Sequence, residues 1–339
     1  MSAEQNTRSK VMHFMFLQMA LLQEISRVAT RYSKLMFFYQ KNRIINLFKE
    51  NEHPEKKRPK VFVAVPHITS VEESNNPEKA TAKIERLRHT IDGLLTTFAH
   101  CDLTITIQTL PNRHVTAYLP EYQIKCIQIQ ESPECDPMFV GFRLQEEFVE
   151  RVEKFDWFLF IEDDIVLYDA FVLEKLESFN RQSGYENAIL YPHRFEMYQG
   201  TKRYIDLTID DQLSWNQLSS VEIETVKFAE CTNPHSGFYC LSKSQMKEWI
   251  KSGRIFKNQV VKVGPLESAA TFCILECFSI YKPHPSNLNY FEIRHYDSKY
   301  SKLYPEPESP YTLSAVNNSS HTPIVKRLRE RDLSSSHDY

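Results

Sequence analysis

Asp156-Trp-Phe-Leu-Phe-Ile-Glu-Asp-Asp-Ile-Val-Leu167 decides the fold, because it changes character in the middle. Trp157 to Ile161 is an unbroken apolar and aromatic run, the pattern of a strand buried on both faces. Glu162, Asp163 and Asp164 follow at its C-terminal end. Three adjacent carboxylates repel one another and are costly to strip of water without a cation. A core strand that emerges into acids is therefore a way to present oxygen ligands to a hard divalent metal. A solvated acidic turn is the plain alternative. The residues at 165–167 and 170–179 return to an apolar pattern at helical spacing. That puts the acids at a strand-to-helix corner, where open α/β sheets hold ligands.

Working outward, apolar strands recur at intervals with helical stretches between them. Strands are predicted over 60–65, 103–108 and 123–130, and helices over 78–99 and 141–154. The second helix feeds the acid-tipped strand. Beyond the acids the pattern predicts a helix over 170–181, a strand over 188–191 and a polar, irregular section over 200–230. A turn leads into a short strand near 238–241, followed by helices over 243–251 and 265–278, with strand pieces at 280–285 and 290–295. This order indicates an α/β fold with a mostly parallel central sheet and helices on both faces. The boundaries read from the sequence are an N-terminal helical extension and charged linker over 1–59, a catalytic domain over 60–304 and a loosely ordered tail over 305–339.

Composition narrows the chemistry. The formal net charge of −3 offers no basic field for nucleic acid. The chain has only 7 glycines in 339 residues, and neither a P-loop nor a G-x-G-x-x-G turn is present. A phosphorylated ligand would have to be neutralised by a metal or by Arg, Lys and His. Seven scattered cysteines with no CxxC pair suggest neither a disulfide framework nor a zinc site; Cys126 and Cys240 read as small core residues. The helical segment 11–48 can pack, pair with another copy, or make peripheral membrane contact. Its apolar part, 11–22, is too short to span about 30 Å of hydrocarbon, and no signal-peptide cleavage pattern follows it. A reducing, cytoplasmic setting is the expectation, with membrane association open and Golgi-type luminal placement unsupported.

Four local features together resemble glycosyltransferases of the GT-A fold, over roughly residues 60–299. Glu162-Asp163-Asp164 is similar to the EDD version of the family's DxD motif. That resemblance implies that Asp164 is a direct metal ligand, with Glu162 and Asp163 facing the donor ribose or waters around the metal. His235-Ser236-Gly237 resembles a glycine-containing loop that touches donor and acceptor. Glu267, in Gly264-Pro-Leu-Glu267-Ser268, resembles the catalytic base at the start of the acceptor-side helix, and the N-terminal end of a helix helps keep a carboxylate ionised. His295 resembles the late histidine that completes the metal shell. The usual acidic pair of the third motif is absent, since Leu266 precedes Glu267.

The resemblance implies transfer of a sugar from a nucleotide-diphosphate donor, a UDP-sugar by default, to a hydroxyl on a glycan, lipid or protein acceptor. The cofactor would be Mn²⁺ or Mg²⁺, and the stereochemistry inverting. Pro66 and His67, after the first strand, would lie near the donor base and ribose, and Arg88 would reach the diphosphate. A plain turn, a helix-end acid and a satisfied histidine are the ordinary readings of 235–237, Glu267 and His295. The competing functions are a metal-dependent nucleotidyltransferase or phosphohydrolase, and a non-catalytic binding protein of similar fold.

Overall fold

The computed structural model describes residues 57–132, 136–184, 187–207, 209, 213–232, 234–255 and 264–303. The expected N-terminal helix, most of its linker and the tail from 305 lie outside these residues. In chain order the main elements are β1 (Lys60–Pro66), α1 (Pro77–Thr97), β2 (Asp102–Thr109), β3 (Ile127–Glu131), α2 (Val140–Arg151), β4 (Trp157–Ile161) and β5 (Ile165–Val166). There follow α3 (Val172–Gln182), β6 (Ala188–Leu190), β7 (His193–Tyr198), β8 (Thr201–Tyr204), β9 (Ser220–Ile223), β10 (Val226–Glu230) and β11 (Phe238–Ser242). Last come α4 (Lys243–Lys251), β12 (Ser279–Pro283), β13 (Glu292–His295) and α5 (Lys299–Leu303).

The central sheet has the order β11-β4-β1-β2-β3. Its inner pairings β4–β1, β1–β2 and β2–β3 are parallel, and β11 is an antiparallel edge on β4. The period of two along β1 assigns its residues to two cores. Val61, Val63 and Val65 pack with Leu87, Ile91 and Leu94 of α1, while Phe62 and Ala64 pack with Phe142, Leu144 and Phe148 of α2. β4 is divided in the same way, Leu159 and Ile161 on one side and Phe158 and Phe160 on the other. The sheet is thus covered on both faces, which is why its strands read as continuous apolar runs. Truncating one of these buried phenylalanines to alanine should cost about 3–5 kcal/mol. α1 starts where Pro77 occupies its first turn and the Asn76 carboxamide oxygen accepts from the Glu78 and Lys79 amides at 3.0 and 3.3 Å.

Two four-stranded sheets complete the unit, β6-β12-β10-β9 and β5-β13-β7-β8. Several expectations change here. The stretch 200–230, read as irregular, contributes β8, β9 and β10. The β7–β8 reversal is made by Gln199 and Gly200, both at positive φ (50° and 77°), and the β9–β10 reversal places Glu224 at φ 57°. Gln and Glu are not turn-marking residues, so these hairpins carry no clear sequence signal. The strand expected over 123–130 begins later, because Glu121–Ile124 forms a helical turn. Buried Gln123 donates to Asp92 Oδ1 at 2.6 Å and to the Arg88 carbonyl at 2.9 Å, tying that turn to α1. Cys126, expected in the core, is exposed, whereas Cys240 is buried, and the described cysteines are all free. The segment after the acids is not helical at once: Ile165–Val166 forms a two-residue strand before α3 begins. The helix expected over 265–278 runs without interruption over 265–275, with a π-helical middle, Ser268–Phe272, between Pro265–Glu267 and Cys273–Leu275.

Candidate active site

The chain runs outward from β1 to β2 and β3, then returns to place β4 on the other side of β1. The C-terminal ends of β1 and β4 therefore flank the point where strand order reverses, the usual ligand crevice of an open α/β sheet. Pro66 and His67 leave one strand there, and Glu162, Asp163 and Asp164 leave the other. The two exits are tied together. His67 is buried and its Nδ1 lies 2.5 Å from Asp163 Oδ2. The Val115 amide donates to His67 Nε2 at 3.2 Å, so Nε2 is an acceptor and the ring proton sits on Nδ1, directed at Asp163. The Thr90 hydroxyl donates to the Asp163 carbonyl at 3.0 Å. Both His67 nitrogens are consumed within the protein, so the ring orients the acid turn. Pro66, half-buried at the end of β1, is opposite Gln108 in the sheet.

The two-residue strand β5 explains the rest of the acid cluster. It pairs antiparallel with β13, with His295 opposite Ile165 and Arg294 opposite Val166, and the Tyr296 amide donates to the Asp164 carbonyl at 2.7 Å. His295 Nε2 thereby comes to 3.4 Å from Asp164 Oδ2. His295 Nδ1 lies 2.8 Å from Oε1 of Glu196, a fully buried carboxylate on β7. Arg86 of α1 stands over the same acid, 4.0 Å from Asp164 Oδ2 and 3.6 Å from Asp297 Oδ2. Burial works against charge on both partners, and the carboxylate–imidazole contacts outweigh it. His295 is pushed up to about 9 and Asp164 is held below the ordinary carboxylate range.

Asp164 Oδ1 is buried and meets no hydrogen-bond partner among the described residues. A bare carboxylate oxygen in such a place fits a cation better than it fits an apolar surrounding. The protein's share of a cation site is small. No group of three or more His, Cys, Asp or Glu side chains among the described residues is arranged to hold a metal. Asp164 and His295 supply one carboxylate and one imidazole, the kind of set that Mg²⁺ or Mn²⁺ uses when substrate phosphates and water complete the shell.

Glu162 occupies a different position from Asp164. Its amide donates to the Gly237 carbonyl at 2.9 Å, because β11 runs antiparallel to β4 with Phe238 opposite Ile161. Burial, with Asp164 next in strength, pushes the Glu162 carboxyl up to about 7. Its side chain lies against Gly237, which has φ +62°, and a Cβ on that residue would fall 2.3 Å from Glu162 Oε2. Gly237 is thus required twice, by its backbone and by the acid beside it. Beneath lies a buried ion cluster. Arg194 pairs with Asp206 through Nε and a terminal nitrogen at 2.9 and 2.8 Å. Lys282, fully buried, sits 3.5 Å from Asp206 and donates to the His235 carbonyl at 2.5 Å. This holds the 235–237 loop from below. The Ser236 hydroxyl is buried and donates to the Phe238 carbonyl at 2.7 Å, so it is engaged within the protein.

Glu267 is half-buried at the first turn before the π-helical stretch, a deviation that frequently accompanies functional positions. Its charge and that of Glu162 both act on Tyr300, whose hydroxyl is raised by burial, against the pull of Arg194 and with help from Glu162, Asp206 and Glu267, and the Tyr300 ring lies 5.5 Å from that of His295. Arg88 is half-buried, and of its groups the backbone carbonyl is held, by Gln123. The guanidinium of α1 that meets the acid cluster belongs to Arg86. Sequence reading missed Arg86, Glu196, Arg194, Asp206 and Lys282 as parts of the site. The helical phase of Leu87, Ile91 and Leu94 marks the two residues flanking Leu87 as boundary positions, and this was the available signal for Arg86.

No protein-family description matches the chain, and no curated protein matches it. Solved structures do. Mannose-1-phosphate geranyltransferase from Thermus thermophilus aligns at 10% identity and TM-score 0.35, over 66% of this chain and 73% of that one. A protein described as a nucleotide-diphospho-sugar transferase from Desulfovibrio desulfuricans aligns at 10% and 0.34, over 80% and 94%. A glycosyltransferase involved in glycosylation of the major capsid of PBCV-1 aligns at 8% and 0.33, over 73% and 100%.

Proposed function

We propose that the chain is a metal-dependent glycosyltransferase with a GT-A-like fold, moving a sugar from a nucleotide-diphosphate donor to a hydroxyl acceptor. The observation that carries this reading is the buried, unpartnered Asp164 Oδ1 beside His295 at the sheet's reversal point. A site with one acid and one imidazole binds a divalent ion well only when the ligand brings phosphate oxygens, which selects a diphosphate substrate. When bound, the ion neutralises the departing nucleoside diphosphate as a Lewis acid. The chain's residues do the rest. Asp164 and His295 hold the ion, and the His67–Asp163 pair fixes the acid turn. Arg86 meets phosphate charge with its planar fork. Glu267 takes the proton from the acceptor hydroxyl as that oxygen attacks the anomeric carbon from the face opposite the leaving group, giving inversion. UDP is the default nucleotide and Mn²⁺ the preferred ion, because of the imidazole.

The test is release of free nucleoside diphosphate from a panel of nucleotide sugars with Mn²⁺, with and without hydroxyl acceptors. Asp164→Ala should abolish release while leaving the melting temperature of the metal-free protein within a few degrees of wild type. Unchanged release in that variant refutes the reading.

A further inference from the structure

Glu196, fully buried, is the most enclosed carboxylate around the acid turn. It lies on β7, parallel to β13, and its side chain reaches across to His295. Its Oε1 accepts from His295 Nδ1 at 2.8 Å and from the Tyr300 amide at 3.3 Å, and its Oε2 accepts from the Ser301 amide at 2.7 Å. A buried anion fixed by two backbone amides has no freedom to turn away, so it dictates which imidazole nitrogen carries a proton.

We infer that Glu196 is a positioning residue that keeps a proton on His295 Nδ1, so that a divalent cation shared with Asp164 displaces the Nε2 proton and takes the Nε2 lone pair. The inference rests on the metal-dependent reading above and adds to it the residue that builds the ligand. Three geometric facts support it together. The Nδ1 contact is short and buried. Nε2 faces Asp164 Oδ2 at 3.4 Å. The other Asp164 oxygen is buried without a partner among the described residues. A carboxylate behind a ligating histidine raises the basicity of the ligand and fixes its ring, and loss of such a partner typically weakens metal affinity by about 10–100-fold. The sequence holds no hint of this role, since nothing in His193-Arg-Phe-Glu196 spacing points to His295.

The experiment is a Mn²⁺ titration of the full chain, reading free Mn²⁺ by its electron paramagnetic resonance signal, with UDP present at a fixed saturating concentration. No turnover is measured. Wild type should bind, and Asp164→Asn should lose binding. Glu196→Gln should weaken binding about 10–100-fold, and Glu196→Asp, which keeps the charge but withdraws the acceptor, should fall between. If wild type and Asp164→Asn differ as expected but Glu196→Gln binds like wild type, the positioning role is wrong and the metal reading stands. If wild type binds no Mn²⁺, or Asp164→Asn binds equally well, the metal reading fails and takes the role of Glu196 with it. Should Glu196→Gln not fold, the ¹⁵N shifts of His295 in wild type with Mg²⁺ and UDP decide. A proton retained on Nδ1, with the larger shift change at Nε2, supports the assignment, and loss of the Nδ1 proton on metal binding overturns it.

Discussion

Gly237→Ala should damage this protein more than any other replacement at its positive-φ glycines. Alanine at φ +62° costs about 1–2 kcal/mol in backbone strain. The new Cβ also lands 2.3 Å from Glu162 Oε2 and 2.8 Å from its Cδ, so the Glu162 side chain must leave its buried seat. Displacing a buried polar group adds about 1–3 kcal/mol. The sum, about 2–5 kcal/mol, corresponds to a fall in melting temperature of about 4–20 °C for a domain of this size. Gly253 supplies the comparison: its φ is +66°, and a Cβ there meets nothing within 4 Å. Gly253→Ala should therefore show the strain alone. The assay is thermal and urea unfolding of both variants, together with the double variant Gly237→Ala/Glu162→Ala. Removing the Glu162 carboxylate should recover at least about 1 kcal/mol of the Gly237→Ala loss, because residues in contact are coupled. Equal losses for the two glycine variants, or no recovery in the double variant, would show that Glu162 does not press on Gly237.

Asp206→Asn should cost about 3–5 kcal/mol in urea unfolding, because it leaves Arg194 and the fully buried Lys282 without their shared counter-ion. Glu267→Gln should keep donor binding near wild type by thermal shift and lower transfer by about 10²–10⁴-fold, the usual worth of a positioned base. Acid should destabilise the fold through His193. That ring donates Nε2–H to the Pro283 carbonyl at 2.6 Å, its Nδ1 is buried without a partner among the described residues, and burial holds it down to about 3. The unfolded chain takes up this proton near 6.5 and the folded one does not, so stability is full above about 6.5 and declines as pH falls toward about 3, by on the order of 4 kcal/mol. Urea midpoints between pH 7 and 4 should show the slope, and His193→Asn should flatten it.

The parts of the fold that could be read from the sequence are those where one physical rule acts alone. β1 and β4 are buried on both faces, so their apolar runs announce them, and the abrupt arrival of Glu162 marks where the sheet ends. The hairpin at Gln199-Gly200 is hidden because a glutamine adopts a conformation that glycine or asparagine would advertise. Helical phase separates Arg86 from Arg88, yet both flank Leu87, and only packing decides which one meets Asp164 and Asp297. Glu196 is invisible for a stronger reason. Alternation along β7 would send it outward when buried Phe195 points in, but α5 covers that face of this inner strand and its Tyr300 and Ser301 amides bond Glu196. His295 was approachable through a family likeness, whereas the pairing of β5 with β13 that delivers it spans too few residues to leave a pattern.

That two-residue pairing sets when Asp164 and His295 can meet. Every strand of the parallel sheet, and the acid turn with it, is synthesised well before His295 leaves the ribosome. A nascent chain halted between β11 and that histidine would hold the whole central sheet with Asp164 still lacking its imidazole partner. The Asp164–His295 contact therefore arrives late in synthesis, delivered by a strand that emerges long after the parallel sheet.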